Sequence, residues 1–232
     1  MDRIAIISDI HGNLEALKSV LDDIKERNIN RIFCLGDIIA KGTHQQECVD
    51  LVKENCEVII RGNCDEYFTS DIDLSTKTQS EIDRITWNKN KLNDETFLPS
   101  SNTISDKKAD VLIYGHIHTP YAQKIYNRMI INTGSVGNAI DVFRNDEKDG
   151  PVKNTTVANY LIISGNFDSK NIDEKISYEL VSVPYDIDKE LSNNNDNIEF
   201  ESYKEEIKKG KYRDMTKIYN SFELRNIDKD KI

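Results

Sequence analysis

The chain has 232 residues, 38% of them hydrophobic and 31% charged, with a formal net charge of −10. That length suffices for one substantial buried core, as a single large domain or a domain with an appendage. The acidic balance speaks against broad binding to nucleic-acid backbone, no apolar run approaches the ~18 residues needed to span a bilayer, and no basic leader precedes an apolar stretch, so a cytoplasmic protein is expected.

Residues 4–7 read as a buried strand that stops abruptly at Ser8-Asp9-Ile10-His11-Gly12-Asn13. From Leu14, apolar residues recur at Leu17, Val20, Leu21 and Ile24, the spacing of an amphipathic helix. Residues 31–35 form a second apolar strand running into Gly36-Asp37, and a loop with Gly42 leads to a helix through Cys48, Val49 and Val52. A third strand, 57–61, ends in Gly62-Asn63-Cys64-Asp65. This β-α-β-α-β order implies parallel strands with right-handed crossovers. Their carboxyl ends then lie side by side, at the edge where open α/β sheets bind ligands.

Residues 78–92 are helical in pattern, with Ile82, Ile85, Trp87 and Leu92 available for packing. Residues 111–114 form a fourth apolar strand that meets Gly115-His116-Ile117-His118, and residues 129–132 another that ends in Thr133-Gly134-Ser135-Val136-Gly137. Further strands are expected at 156–164 and 175–183, the latter alternating through Ile176, Tyr178 and Leu180, with a charged loop at 143–154 before them. After Pro184 the composition shifts. Residues 193–197 read as a solvated linker and 200–215 as a polar surface helix. The expected division is a domain over 1–183 and a partly helical extension over 184–232 that the core does not need.

Asp9 with His11, Asp37, Asn63, and His116 with His118 thus stand at four strand ends. Alternate residues of an extended chain point the same way, so Asp9 and His11 can meet one ion. The cysteines, Cys34, Cys48, Cys56 and Cys64, form no C-x-x-C pair and are expected to be reduced thiols.

In order, the motifs are D-x-H-G-N, G-D, G-N-C-D, G-H-x-H and T-G-S-V-G. Over residues 1–183 this series resembles the calcineurin-like metallophosphoesterases, in particular their small bacterial and archaeal phosphodiesterase-type members. The resemblance implies a four-layer αββα sandwich with a dinuclear metal centre at the sheet edge. It implies Asp9, His11 and His118 as ligands of a first metal, Asp37 as the bridging carboxylate, and Asn63 and His116 as ligands of a second, with catalysis resting on Asp37, Asn63 and His116. The implied reaction is hydrolysis of a small phosphodiester or phosphomonoester by a metal-activated water. Two divalent ions about 3.5–4 Å apart can clamp both the attacking and the leaving oxygen. A ligand set of carboxylate, amide and imidazole without thiolate suits Mn²⁺ best, with Fe²⁺, Ni²⁺ or Zn²⁺ as alternatives. Homo-oligomerisation is left open.

The sequence departs from the family pattern in one respect. Members carry a further strand before the G-H-x-H strand, and it ends in a histidine ligand of the second metal. Here the only histidines are His11, His44, His116 and His118, and the chain passes from Leu92 to Ala109 without such a strand. The expectation is a sandwich short of one central strand, with a tight first ion and a weak second one. A degenerate member acting as a metal-binding or interaction scaffold is the alternative. His44 is the spare ligand, and Cys64 lies behind the ligands, where many relatives place a histidine acid.

Overall fold

The computed structural model of the chain describes residues 1–68, 72–93, 109, 111–126, 128–140, 156–169, 175–192 and 197–210. Strand β1 (Asp2–Ile7) alternates cleanly. Ala5 and Ile7 join a core shared with helices, while Ile4 and Ile6 face a second sheet. That alternation is the period-two signature of a strand buried on both faces. Helix α1 (Leu14–Glu26) starts where the Asn13 side chain accepts from Ala16 N at 3.0 Å, and it buries Leu14, Ala16, Leu17, Val20 and Ile24. Strand β2 (Ile32–Cys34), helix α2 (Gln45–Asn55) and the short strand β3 (Val58–Ile59) complete the parallel unit, with β1 beside β2 and β2 beside β3.

Helix α3 (Gln79–Lys89) opens with a reciprocal capping box between Thr78 and Glu81. The chain re-enters as strand β4 (Val111–Tyr114), then a hairpin of β5 (Tyr121–Ile125) and β6 (Arg128–Asn132). Strands β7 (Ala158–Gly165) and β8 (Ser177–Val183) follow. The larger sheet has the order β3-β2-β1-β7-β8 and the smaller β4-β6-β5. Ala158, Tyr160 and Ile162 share the helix-side core with α1 and α2. Ile6 and Leu161 meet Ile131 of the small sheet, with Phe33, Val111, Ile113 and Met129 around them. The result is the expected mixed α/β sandwich of two sheets and helices. Among the described residues the small sheet has three strands, and the segments expected to hold the deletion (94–108) and the charged loop (143–154) lie outside those residues. No described helix is long and apolar enough to cross a membrane.

Three features could not be read from the sequence. Strand β5 gives little sequence signal, because it is an edge strand whose residues after Tyr121 are exposed. On β8 the face of Ile176, Tyr178 and Leu180 is the exposed one, and Val181 is the buried residue. The C-terminal extension is not merely solvated. Helices α4 (Ile187–Leu191) and α5 (Phe200–Lys209) bury Glu190, Tyr203, Glu206 and Ile207 against the rest of the molecule. Tyr203 Oη donates to Glu190 Oε1 at 3.1 Å, and Asn197 Nδ2 donates to Lys41 O at 2.7 Å.

Candidate metal centre

The loops after β1, β2 and β6 are stitched into one edge by main-chain hydrogen bonds. Asp9 N donates to Gly36 O, His11 N to Asp37 O, Val136 N to Ser8 O and Gly137 N to Asp9 O, each at 3.0 Å. Asp65 ties a further loop into this edge. Its two oxygens accept from Gly62 N (2.9 Å), Asp37 N (2.8 Å), Ile38 N (2.9 Å) and Ile39 N (3.4 Å). Gly115 lets the β4 loop approach, since a β-carbon there would fall on Ser8 Oγ and Asp9 Oδ2.

Asp9, His11 and His118 converge at the centre, all buried, with their ligand atoms within 4.8 Å of one another. Asp9 Oδ2 is fully engaged, accepting from Ser8 Oγ (2.6 Å) and His116 N (2.9 Å). Asp9 Oδ1 receives no hydrogen bond, although His118 Nε2 lies 3.3 Å away and His11 Nε2 3.8 Å away. The reason is tautomeric. His11 Nδ1 lies 3.2 Å from Ile39 O and His118 Nδ1 2.6 Å from Asn138 O, so each Nδ1 carries the proton. In the neutral rings both Nε2 atoms are then bare lone pairs, and they face each other at 3.1 Å. Burial, followed by His118 and Lys41, holds His11 well below the usual imidazole range and so keeps it neutral. Two lone pairs and an orphaned buried carboxylate oxygen repel one another unless a cation lies between them. The residues therefore fit a divalent metal, and the main-chain carbonyls behind each imidazole fix its orientation.

Asp37 sits beside this trio. Burial first, then the Asp9 and Asp65 carboxylates, push it up to about 8. Asn63 and His116 stand at the exposed rim. With its amide nitrogen turned toward acceptors, Asn63 donates to His116 Nδ1 at 2.9 Å and to Asp37 Oδ2 at 3.3 Å. One wall of the site opens into a cleft of about 660 Å³ between the sheets, bounded by Ile6, Phe33, Val111 and Phe167, with Arg61 along it.

A model of the calcineurin-like phosphoesterase superfamily domain matches residues 2–148. The chain belongs to that superfamily. An uncharacterized protein of Methanocaldococcus jannaschii is 34% identical, the match covering 80% of this chain and 89% of that protein. The phosphodiesterase YfcE of Escherichia coli is 28% identical over 59% of this chain and 80% of its own length. In structure, a metallophosphoesterase from Sphaerobacter thermophilus superposes with a TM-score of 0.67 at 22% identity, over 90% of this chain and 99% of that one, and so shares its fold.

Within this family setting the motif residues gather as their spacing implies, but the backbone does it differently. Strand β1 ends at Ile7, and Asp9 (φ 55°), His11 (φ 52°), Asp37 (φ 51°) and His116 (φ 74°) are all left-handed. The two-residue spacing of Asp9 and His11 therefore meets at one point through strained turns, not through strand pleating. Asp, Asn and His tolerate that region better than most residues, which is one reason such positions can bear ligands. His44 is not in the cluster. It precedes α2, and its Nδ1 lies 3.0 Å from Thr43 Oγ1 and 3.6 Å from Glu190 Oε2. Cys64 lies behind Asp37, donating its main-chain N–H to Asp37 Oδ1 at 2.7 Å, and burial pushes its thiol well above its ordinary value. Sequence reasoning missed Asn138 and Ser135, which act through main-chain oxygens and a hydroxyl. Ser135 Oγ donates to Asp9 O at 2.7 Å and accepts from Asn138 N at 2.8 Å. The T-G-S-V-G stretch was the available signal.

Proposed function

We propose that this chain is a divalent-metal-dependent phosphoesterase that hydrolyses a phosphodiester or phosphomonoester at a dinuclear centre. The observation that carries this reading is the convergence of the orphaned Asp9 Oδ1 with the two Nε2 lone pairs of His11 and His118. Asp9, His11 and His118 hold the first ion, Asp37 is shared, and Asn63 with His116 completes a weaker second position. Mn²⁺ suits this set best, and Fe²⁺, Ni²⁺ or Zn²⁺ are compatible with it. When bound, such ions neutralise phosphoryl charge and supply a nucleophile at neutral pH.

The chain's own residues do the rest. Asp65 fixes the turn that presents Asp37. Asn63 and His116 offer a polar rim to the phosphoryl oxygens, and the apolar cleft beside them accommodates the organic part of an ester. The likeness to the phosphodiesterase YfcE supports the diester arm. The net charge of −10 favours a small anionic substrate held through metal over a nucleic-acid backbone.

The test is hydrolysis of bis(p-nitrophenyl) phosphate and p-nitrophenyl phosphate by metal-free protein resupplied with Mn²⁺, Ni²⁺ or Zn²⁺. Turnover should return with metal and disappear in Asp9→Asn and His118→Ala. A folded chain that binds these ions yet turns over neither ester would overturn the enzyme reading in favour of a metal-binding scaffold.

A further inference from the structure

Helix α5 lies beyond the residues matched by the family model, yet one of its side chains reaches the back of the metal centre. Glu206 is 2% exposed, in a helix whose other buried residues are Tyr203 and Ile207. Its Oε2 accepts from Asn138 Nδ2 at 2.7 Å and from Lys41 Nζ at 3.0 Å. Each of those partners adjoins one imidazole of the pair. Asn138 supplies the main-chain oxygen that receives His118 Nδ1, and its N–H leads through Ser135 Oγ to Asp9 O. Lys41, itself left-handed at φ 71°, precedes Gly42, whose N–H donates to His11 O at 2.8 Å. One carboxylate therefore clamps the loop behind His118 to the loop behind His11. Taking a carboxylate and an ammonium out of water costs several kcal/mol per ion, and an apolar pair of similar volume is often as stable. Stability alone thus gives little reason for an ion pair here.

We infer that Glu206 is a positioning residue of the metal centre, acting through Asn138 on His118 and balancing the charge of Lys41 behind His11. The inference rests on the reading of Asp9, His11 and His118 as metal ligands. It makes the C-terminal helix part of the site without adding a ligand.

The test is calorimetric titration of the full-length, metal-free chain with Mn²⁺, alongside the visible spectrum of the Co²⁺-loaded protein, which reports ligand geometry. Glu206→Gln preserves shape and an acceptor oxygen but removes the negative charge facing Lys41. Its Mn²⁺ affinity should fall about 10-fold or more, the range found for outer-shell partners, and its Co²⁺ spectrum should shift. Adding Lys41→Met to Glu206→Gln removes the cation that Glu206 faces and should recover much of the affinity. A purely structural role predicts further loss instead. Glu205→Gln, on the exposed face of α5, should bind like the wild type. Should Glu206→Gln fold poorly, Asn138→Ala releases the clamp while keeping the main-chain acceptor of His118, and should show the same weakening. Wild-type affinity and an unshifted spectrum in a folded Glu206→Gln chain, or in Asn138→Ala where that variant replaces it, overturn the inference. If the wild type binds no ion, or Asp9→Asn binds equally well, the metal-site reading fails and takes this inference with it.

Discussion

Asp65 receives four main-chain N–H groups, two on each oxygen, and through them joins the loops that follow β2 and β3. Replacing it with Asn turns one acceptor into a donor and leaves two buried N–H groups facing another N–H. Each stranded donor costs about 1–3 kcal/mol. Asp65→Asn should therefore lower the urea midpoint by the equivalent of about 2–6 kcal/mol, and a midpoint unchanged from wild type would contradict this role. At this scale the six ligand-type residues were legible in the sequence, because each stands just past an apolar run. What was not legible is how they meet. The left-handed turns at Asp9, His11, Asp37 and His116 depend on straps from Gly36, Ile38 and Gly137 that no local pattern announces.

Among the elements, α1 could be read almost residue by residue, since its apolar stripe and its Asn13 cap are both local. Helix α5 could not. Its buried positions, Tyr203, Glu206 and Ile207, follow helical spacing, but a carboxylate interrupts the stripe and the surrounding lysines and glutamates disguise it as a surface helix. Tyr203 is 1% exposed. Large aromatic-to-alanine changes in a core typically cost about 3–5 kcal/mol, and Tyr203→Ala should fall in that range. Ending the chain at Ser192 removes Tyr203 and Ile207 together, so the truncated protein should melt well below the intact one in a calorimetric scan. Equal melting temperatures would restore the view that the extension is dispensable. Strand β5 escaped notice for the opposite reason, as an edge strand with almost no buried side chains to impose a pattern.

For the whole molecule, the crowded carboxylates link stability, pH and metal. Asp37 in the fold is pushed up to about 8 from the ordinary carboxyl value of 3.8, by burial and then by Asp9 and Asp65. Between those values the folded chain holds a proton that the unfolded chain has lost, so the stability of the metal-free protein falls as pH rises through that window. On the proposed reading Asp37 is a shared ligand; a metal needs the ionised carboxylate, so binding there would expel the proton and strengthen toward higher pH. The gain in melting temperature on adding Mn²⁺ should therefore grow from about pH 5 to about pH 8. A gain independent of pH would show that Asp37 does not carry this linkage. The two-sheet architecture was legible from the order of strands and loops. The join between the extension and the core was not, because it consists of pairings such as Glu206 with Asn138 and Lys41, distant in sequence and polar in type.

Strand β1 is central in the larger sheet, with β2 on one side and β7 on the other, residues 2–6 lying opposite residues 161–165. A chain made from its amino end at about 5–20 residues per second produces β1 and β2 early and then waits roughly 6–25 s for β7. Throughout that interval one edge of β1 has no neighbour, and unpaired edges invite association with other chains. Stalled nascent chains ending before β7 should be cut by protease within their first strand, and chains extending beyond β8 should resist; equal resistance would mean that some other segment shields the edge. Strand β1 is thus made long before the partner that encloses it, and crowding on the ribosome falls on that waiting edge.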